Sequence, residues 1–212
     1  MRALPLILGI VSLAIAWTSP LITSASHAFF AHMMVHMTVV AVAAPLIAFG
    51  IAGSRWDPVC RVPALFSPIL ASIVELGVVW LWHTPVLHAA ARQHSAALFA
   101  EQGTFLLSGL LLWMSAFGGD SASRASRSAS GVVALLLTAI HMTLLGALLA
   151  LAPRPLYAHL HGYSGLSPLE DQHLGGAIML TVGGVSYLAG GLWLSLGLLR
   201  RSASTSRTII EA

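Results

Sequence analysis

The residues best placed to do chemistry are the histidines, ten of them against seven carboxylates and a single cysteine. The densest group is His32-Met33-Met34-Val35-His36-Met37. On a helix, positions i and i+4 share a face, so His32 and His36 stack within reach of one ion while Met33 and Met37 form the adjacent stripe. Imidazole beside thioether is a donor set for a soft ion, favouring Cu(I) over magnesium or calcium, which want oxygen. The same residues also suit a metal-free bundle in which imidazoles hydrogen-bond and methionines fill gaps. Trp82-His83-Thr84-Pro85 adds a second candidate. Its proline ends or kinks the helix beside the histidine and aims His83 at the interior; the competing reading is an interfacial Trp-His anchor. His141-Met142 lies deep in an apolar run, where an ionisable group is costly and so a functional candidate, unless it is simply a neutral histidine bonded to a neighbouring helix.

Three carboxylates accompany these groups. Glu75, inside an apolar run, needs a partner or a proton. Glu101 and Asp171 lie near the starts of apolar runs, where they either interact with the helix dipole or support a metal ligand or proton nearby. Cys60, being alone, forms no internal disulfide and no cysteine metal cluster, which argues against a structural zinc site.

The elements that position these side chains are set by hydropathy. The chain has 212 residues, 57% hydrophobic and 8% charged, with a mean hydropathy of +0.86. That composition excludes a water-soluble domain and predicts an all-α, polytopic transmembrane bundle, one integral-membrane domain over residues 1–212 in contact with the lipid bilayer. Six apolar spans are expected, at 4–22, 29–49, 66–82, 96–117, 132–151 and 174–199. All ten basic residues are arginines scattered along the chain, so no basic face exists for nucleic acid. With six spans, eight arginines fall on one side and only Arg92 and Arg154 on the other, which places both termini in the cytoplasm. Every histidine then lies towards the outer side except His141, near mid-membrane. The first span, with Arg2 before it and Ser24-Ala25-Ser26 after it, also suits a signal peptide. In the last span, Gly176, Gly183, Gly190 and Gly197 recur every seven residues, a smooth stripe for close helix packing, expected to be intramolecular.

The order His32-Met33-x-x-His36, Ala44-Pro45-Leu46, Leu81-Trp82-His83-x-Pro85, Pro155-Leu156-Tyr157 and Asp171-Gln172-x-x-Gly175-Gly176 resembles the bacterial CtaG-type cytochrome c oxidase assembly factors, the polytopic family. The resemblance runs from His32 to the end of the last span. It departs from the family pattern at Pro45, where a doubled proline is expected, at Gln102, where histidine is expected, and at His173, which replaces a neutral polar residue. The resemblance implies a protein of the bacterial cytoplasmic membrane that acts on cytochrome c oxidase subunits, with an outward-facing site that helps copper reach the oxidase. His32, His36, His83 and His141 form the expected ligand pool, Met37 a soft supplementary ligand, and Glu75, Glu101 and Asp171 supporting or proton-linked groups. The alternatives are a b-type haem electron carrier using two axial histidines, a metal-free scaffold and, least favoured, a transporter. No nucleophile with a placed base and no phosphate loop is legible, so an enzyme is not expected.

Overall fold

The computed structural model describes residues 3–120, 124–157 and 165–210, and these form helices and connecting turns without a strand. His159 and His161 lie outside the described residues. The helices are α1 (Ala3–Thr18), the short α2 (Pro20–Ser24), α3 (Phe29–Ile51), α4 (Pro68–Trp82), α5 (Pro85–Gln93), α6 (Ser95–Phe117), α7 (Arg124–Ala150) and α8, which enters at Pro168 and continues to Ile210.

The apolar-helix expectation holds for the bundle, with four or five of the six expected spans met by helices long enough to cross a membrane. Four helices are long and apolar enough to cross a membrane, at Phe29–Ile51, Ser95–Phe117, Ala125–Ala150 and Pro168–Arg200, and the pair α4 and α5 makes a fifth if taken as one span bent by 73°. The sixth expected span, 4–22, is not met by a single helix. Its main part, α1, has 16 residues, about 24 Å at 1.5 Å per residue, against a hydrocarbon layer of roughly 30 Å. The chain is a multi-pass membrane protein.

Packing fixes the directions of the helices. Contacts of Phe29 and Met33 with Gly175, Met37 with Gly183, and Ser186 with Ala41 run in the same order along α3 and α8, so these two are parallel. Bonds linking Phe66 to Arg127 and Ser72 to Thr138 make α4 and α7 parallel as well. Gly9 against Ile47 and Gly50 against Leu6 set α1 antiparallel to α3. The glycine stripe packs within the chain at three of its four positions. A Cβ on Gly176 would collide with the Ala150 backbone, one on Gly183 would meet Met142 and Met37, and one on Gly190 would lie 2.6 Å from Trp113, whereas Gly197 faces open space.

A π-helical turn at Thr38–Ala43 interrupts α3 just beyond His36. Pro45 has no N–H to return to the carbonyl of Ala41, and the Ser186 hydroxyl donates to that carbonyl instead, at 2.6 Å. The indole of Trp113 donates to the neighbouring carbonyl of Val40 at 3.0 Å. The irregular turn therefore keeps its backbone satisfied inside the bundle, which an apolar surrounding demands. Trp113 also stacks on Tyr187 at 5.2 Å, joining α6 to α8 behind that turn.

Candidate functional site

Four imidazoles gather where the start of α3 meets the end of α4 and the short α5. His32 and His36 come from α3, with rings nearly parallel and 6.2 Å apart, as the i, i+4 spacing requires. Helix α4 stops at Trp82, and His83 is its C-cap residue. This is the break that Pro85 dictates, because a proline cannot continue the helix. The His83 ring turns inward to lie 5.3 Å from His36 and 5.7 Å from His32. The chain restarts as α5 and presents His88, whose ring stands edge-on to His32 at 4.8 Å. His32, His36 and His88 are fully buried and His83 is 5% exposed.

Aromatic side chains wall the cluster. Phe105 of α6 contacts His36 at 4.0 Å, and Phe29 lies 5.9 Å from His32. Tyr157 covers His88 at 4.4 Å and stacks on Phe29 at 4.5 Å. Its hydroxyl donates to the His83 carbonyl at 2.8 Å. Burial pushes the Tyr157 phenol well above its ordinary pKa, so it remains a donor. The segment carrying Tyr157 is pinned by Gln172, which accepts from the Leu156 N–H at 2.7 Å and donates to the Leu149 carbonyl at 3.2 Å.

Charge enters the cluster as one ion pair. Arg92, one turn beyond His88 on α5, pairs with Glu101 of α6, and both side chains are buried. Arg92 also donates to the Ala25 carbonyl at 3.1 Å and to His32 Nδ1 at 3.2 Å. Glu101 accepts a further bond from Gln102 at 3.2 Å, and the Gln102 carbonyl oxygen accepts from the Trp17 indole at 3.1 Å. Glu101 is therefore held by a cation and an amide, which is what makes a buried carboxylate tolerable.

The other expected site residues lie elsewhere. Met37, 100° around α3 from His36, faces α7 and α8: its sulfur lies 3.7 Å from where a Cβ on Gly183 would sit, beside Met142. His141 is buried on α7 but takes no part in the ring contacts joining the four histidines, and neither of its ring nitrogens has a hydrogen-bond partner. Glu75 is buried on α4 and accepts from the Tyr187 hydroxyl at 2.8 Å. Asp171 has a structural task. Its two oxygens accept the backbone N–H groups of Phe29 at 2.6 Å and Phe30 at 3.2 Å, capping α3 from α8 and so fixing the helix that carries His32 and His36.

Among the described residues, no three His, Cys, Asp or Glu side chains converge closely enough to hold an ion between them as they stand. What the cluster offers is buried ring nitrogens without partners. His36 has both ring nitrogens buried without a hydrogen-bond partner, and His32 and His83 each have Nε2 in that condition. Buried polar atoms normally find partners, so such a concentration fits a site that takes a ligand. Neutral imidazole suits a copper ion, and a d10 cuprous ion accepts as few as two ligands.

The family model of the cytochrome c oxidase caa3 assembly factors matches residues 1–201 of the chain. The chain belongs to that family. No curated protein and no solved structure matches it. In this family member, the site residues that sequence reasoning passed over are His88, Arg92 and Phe105. A signal existed for the first two: once Pro85 restarts the helix, His88 and Arg92 are four residues apart and share a face. Phe105 gave none, since it is one apolar residue among many in α6.

Proposed function

We propose that this assembly factor takes up a copper ion, as cargo, in the histidine cluster and helps deliver it to a subunit of its client oxidase. The observation that carries the reading is the buried pair of His36 and His83, from two helices and beside His32, with three ring nitrogens lacking partners. His36 and His83 are the best-placed ligands. His141 and Met37 drop out of the ligand pool, because Met37 faces Gly183 of α8 and His141 makes none of the ring contacts that join the cluster. The outer side of a bacterial cytoplasmic membrane is the setting, supported by the arginines: Arg55, Arg61 and Arg127 belong to the opposite end of the bundle from the cluster. Delivery asks for a site that lets go of its ion, and a pair of neutral nitrogens suits that better than a closed tetrahedral cage.

Purification in mild detergent from copper-supplied cells, with metal analysis and an optical spectrum, tests this. About one copper per chain and no Soret band is expected, with copper and oxidase assembly lost together in His36→Ala and His83→Ala. A Soret band assigns the histidines to haem instead. Copper-free protein that still supports oxidase assembly after both substitutions would leave a scaffold and refute the cargo reading.

A further inference from the structure

The hydrogen bonds of the cluster fix where the protons of two histidines sit. A guanidinium has only N–H donors and no acceptor. Arg92 Nη1 lies 3.2 Å from His32 Nδ1, so Nδ1 must present its lone pair. His32 is then neutral, with its single ring proton on Nε2. His83 is the reverse. Its Nδ1 lies 2.6 Å from the Val79 carbonyl, which only accepts, so Nδ1 carries the proton and, in the neutral ring, Nε2 keeps the lone pair. His36 is constrained at neither nitrogen. Metal bonds are made by lone pairs, and the hydrogen bond at one ring nitrogen decides whether the other has one.

We propose that Arg92 is a positioning residue that holds His32 in its Nε2–H form and keeps it out of the ligand set, so that a soft monovalent ion is held by His36 and His83 alone. The ligand half of this rests on the copper reading above, whereas the proton assignment stands without it. Glu101 makes the arrangement reversible in principle. Its Oε2 lies 3.9 Å from His32 Nδ1, with Arg92 bonded to both. Without the guanidinium, that carboxylate stands within reach to accept a proton from Nδ1, and Nε2, buried without a partner, then gains a lone pair. This is the carboxylate–histidine arrangement that orients ordinary metal ligands. Arg92 thus denies His32 the lone pair that, with a shift of the rings towards one another, would add a third ligand to His36 and His83 and make the site retain its ion.

The test uses the full chain in detergent, labelled with 15N-histidine. Long-range proton–nitrogen correlations within each ring distinguish the two neutral forms, and single His→Ala variants assign them. The expected spectrum has His32 protonated at Nε2 and His83 at Nδ1. In Arg92→Met the His32 proton moves to Nδ1, while Arg92→Lys, still a pure donor, keeps it at Nε2. Silver(I), titrated against a competing chelator, probes the ligands. Its affinity falls more than about 100-fold in His36→Ala and His83→Ala, changes less than about threefold in His32→Ala, and rises about tenfold in Arg92→Met. A wild-type His32 protonated at Nδ1, or a His32→Ala loss as large as that of His36→Ala, overturns the proposal. If Arg92→Met does not fold, the wild-type spectrum and the three histidine variants decide. If the wild type binds no silver, the copper reading falls with the ligand half, and the spectrum still settles the role of Arg92.

Discussion

Replacing Asp171 by alanine is predicted to loosen the start of α3 and so disturb the histidine cluster from a distance. The first N–H groups of a helix have no partner within it, and here two of them, on Phe29 and Phe30, are satisfied by one carboxylate at 2.6 and 3.2 Å. Phe29 and Asp171 are both essentially inaccessible to solvent, at 1% and 0% exposure, so water does not replace the lost acceptor. Loss of an N-cap costs about 0.5–2 kcal/mol, and leaving a buried donor unsatisfied about 1–3 kcal/mol, two views of the same loss. The second bond and the favourable placement of negative charge at a helix N-terminus add to it. A total of about 2–4 kcal/mol follows, which for a chain of this size corresponds to a fall in melting temperature of order 10 °C. Thermal unfolding in mild detergent, followed by circular dichroism, measures it. Asp171→Asn keeps one acceptor oxygen and should fall between the two. An Asp171→Ala protein that melts within a degree or two of the wild type would refute the assignment of Asp171 as the cap of α3.

Two further outcomes are expected. Gly190→Leu should sharply reduce the yield of folded protein, because even a Cβ there lies 2.6 Å from the fully buried Trp113, whereas Gly197→Leu, whose Cβ meets nothing within 4 Å, should be tolerated; overpacking of this kind costs about 1–3 kcal/mol, read as folded yield by size-exclusion chromatography. Tyr187→Phe should destabilise the bundle by about 1–3 kcal/mol by removing the hydroxyl that donates to a buried Glu75 oxygen, and Glu75→Leu combined with it should recover most of that loss in detergent unfolding.

The half of the site carried by one helix was legible, and the half made between helices was not. Two histidines four residues apart must share a helical face, and a proline two residues after His83 must break the helix there, so His32, His36 and His83 could be chosen from spacing alone. Met37 and His141 lie apart from the cluster that brings His32, His36 and His83 together. A step of 100° carries Met37 away from His36 onto the α8 side, and nothing in a sequence says which neighbour a given face of α7 meets. Asp171 could be placed at a helix N-terminus, but the obvious reading was its own helix, whereas it caps α3. Asp171 does stand in the first turn of its own helix, and its bonds reach α3 because α3 and α8 are parallel and start level with each other, a fact of packing. Arg92 was hidden by being counted as a topological marker on the outer side, when its guanidinium is buried among the residues it orders.

The charges around the cluster bear on why histidine is used there at all. Arg92 and Glu101 cancel as a buried pair, and the imidazoles bind metal as neutral groups, so the protein alone places no net charge from these groups in that region. A carboxylate or thiolate ligand in their place would bring its own charge into the apolar bundle, at a cost of several kcal/mol unless paired. On the copper proposal above, neutral ligands avoid that cost for the empty protein and shift it to the loaded one, because a cuprous ion on His36 and His83 would add a positive charge that nothing among these residues offsets. The loaded form is therefore the electrostatically strained one. Under that proposal an anionic acceptor site on a client would remove the strain on taking the ion, and the charge of the two ligand sets alone would make transfer downhill.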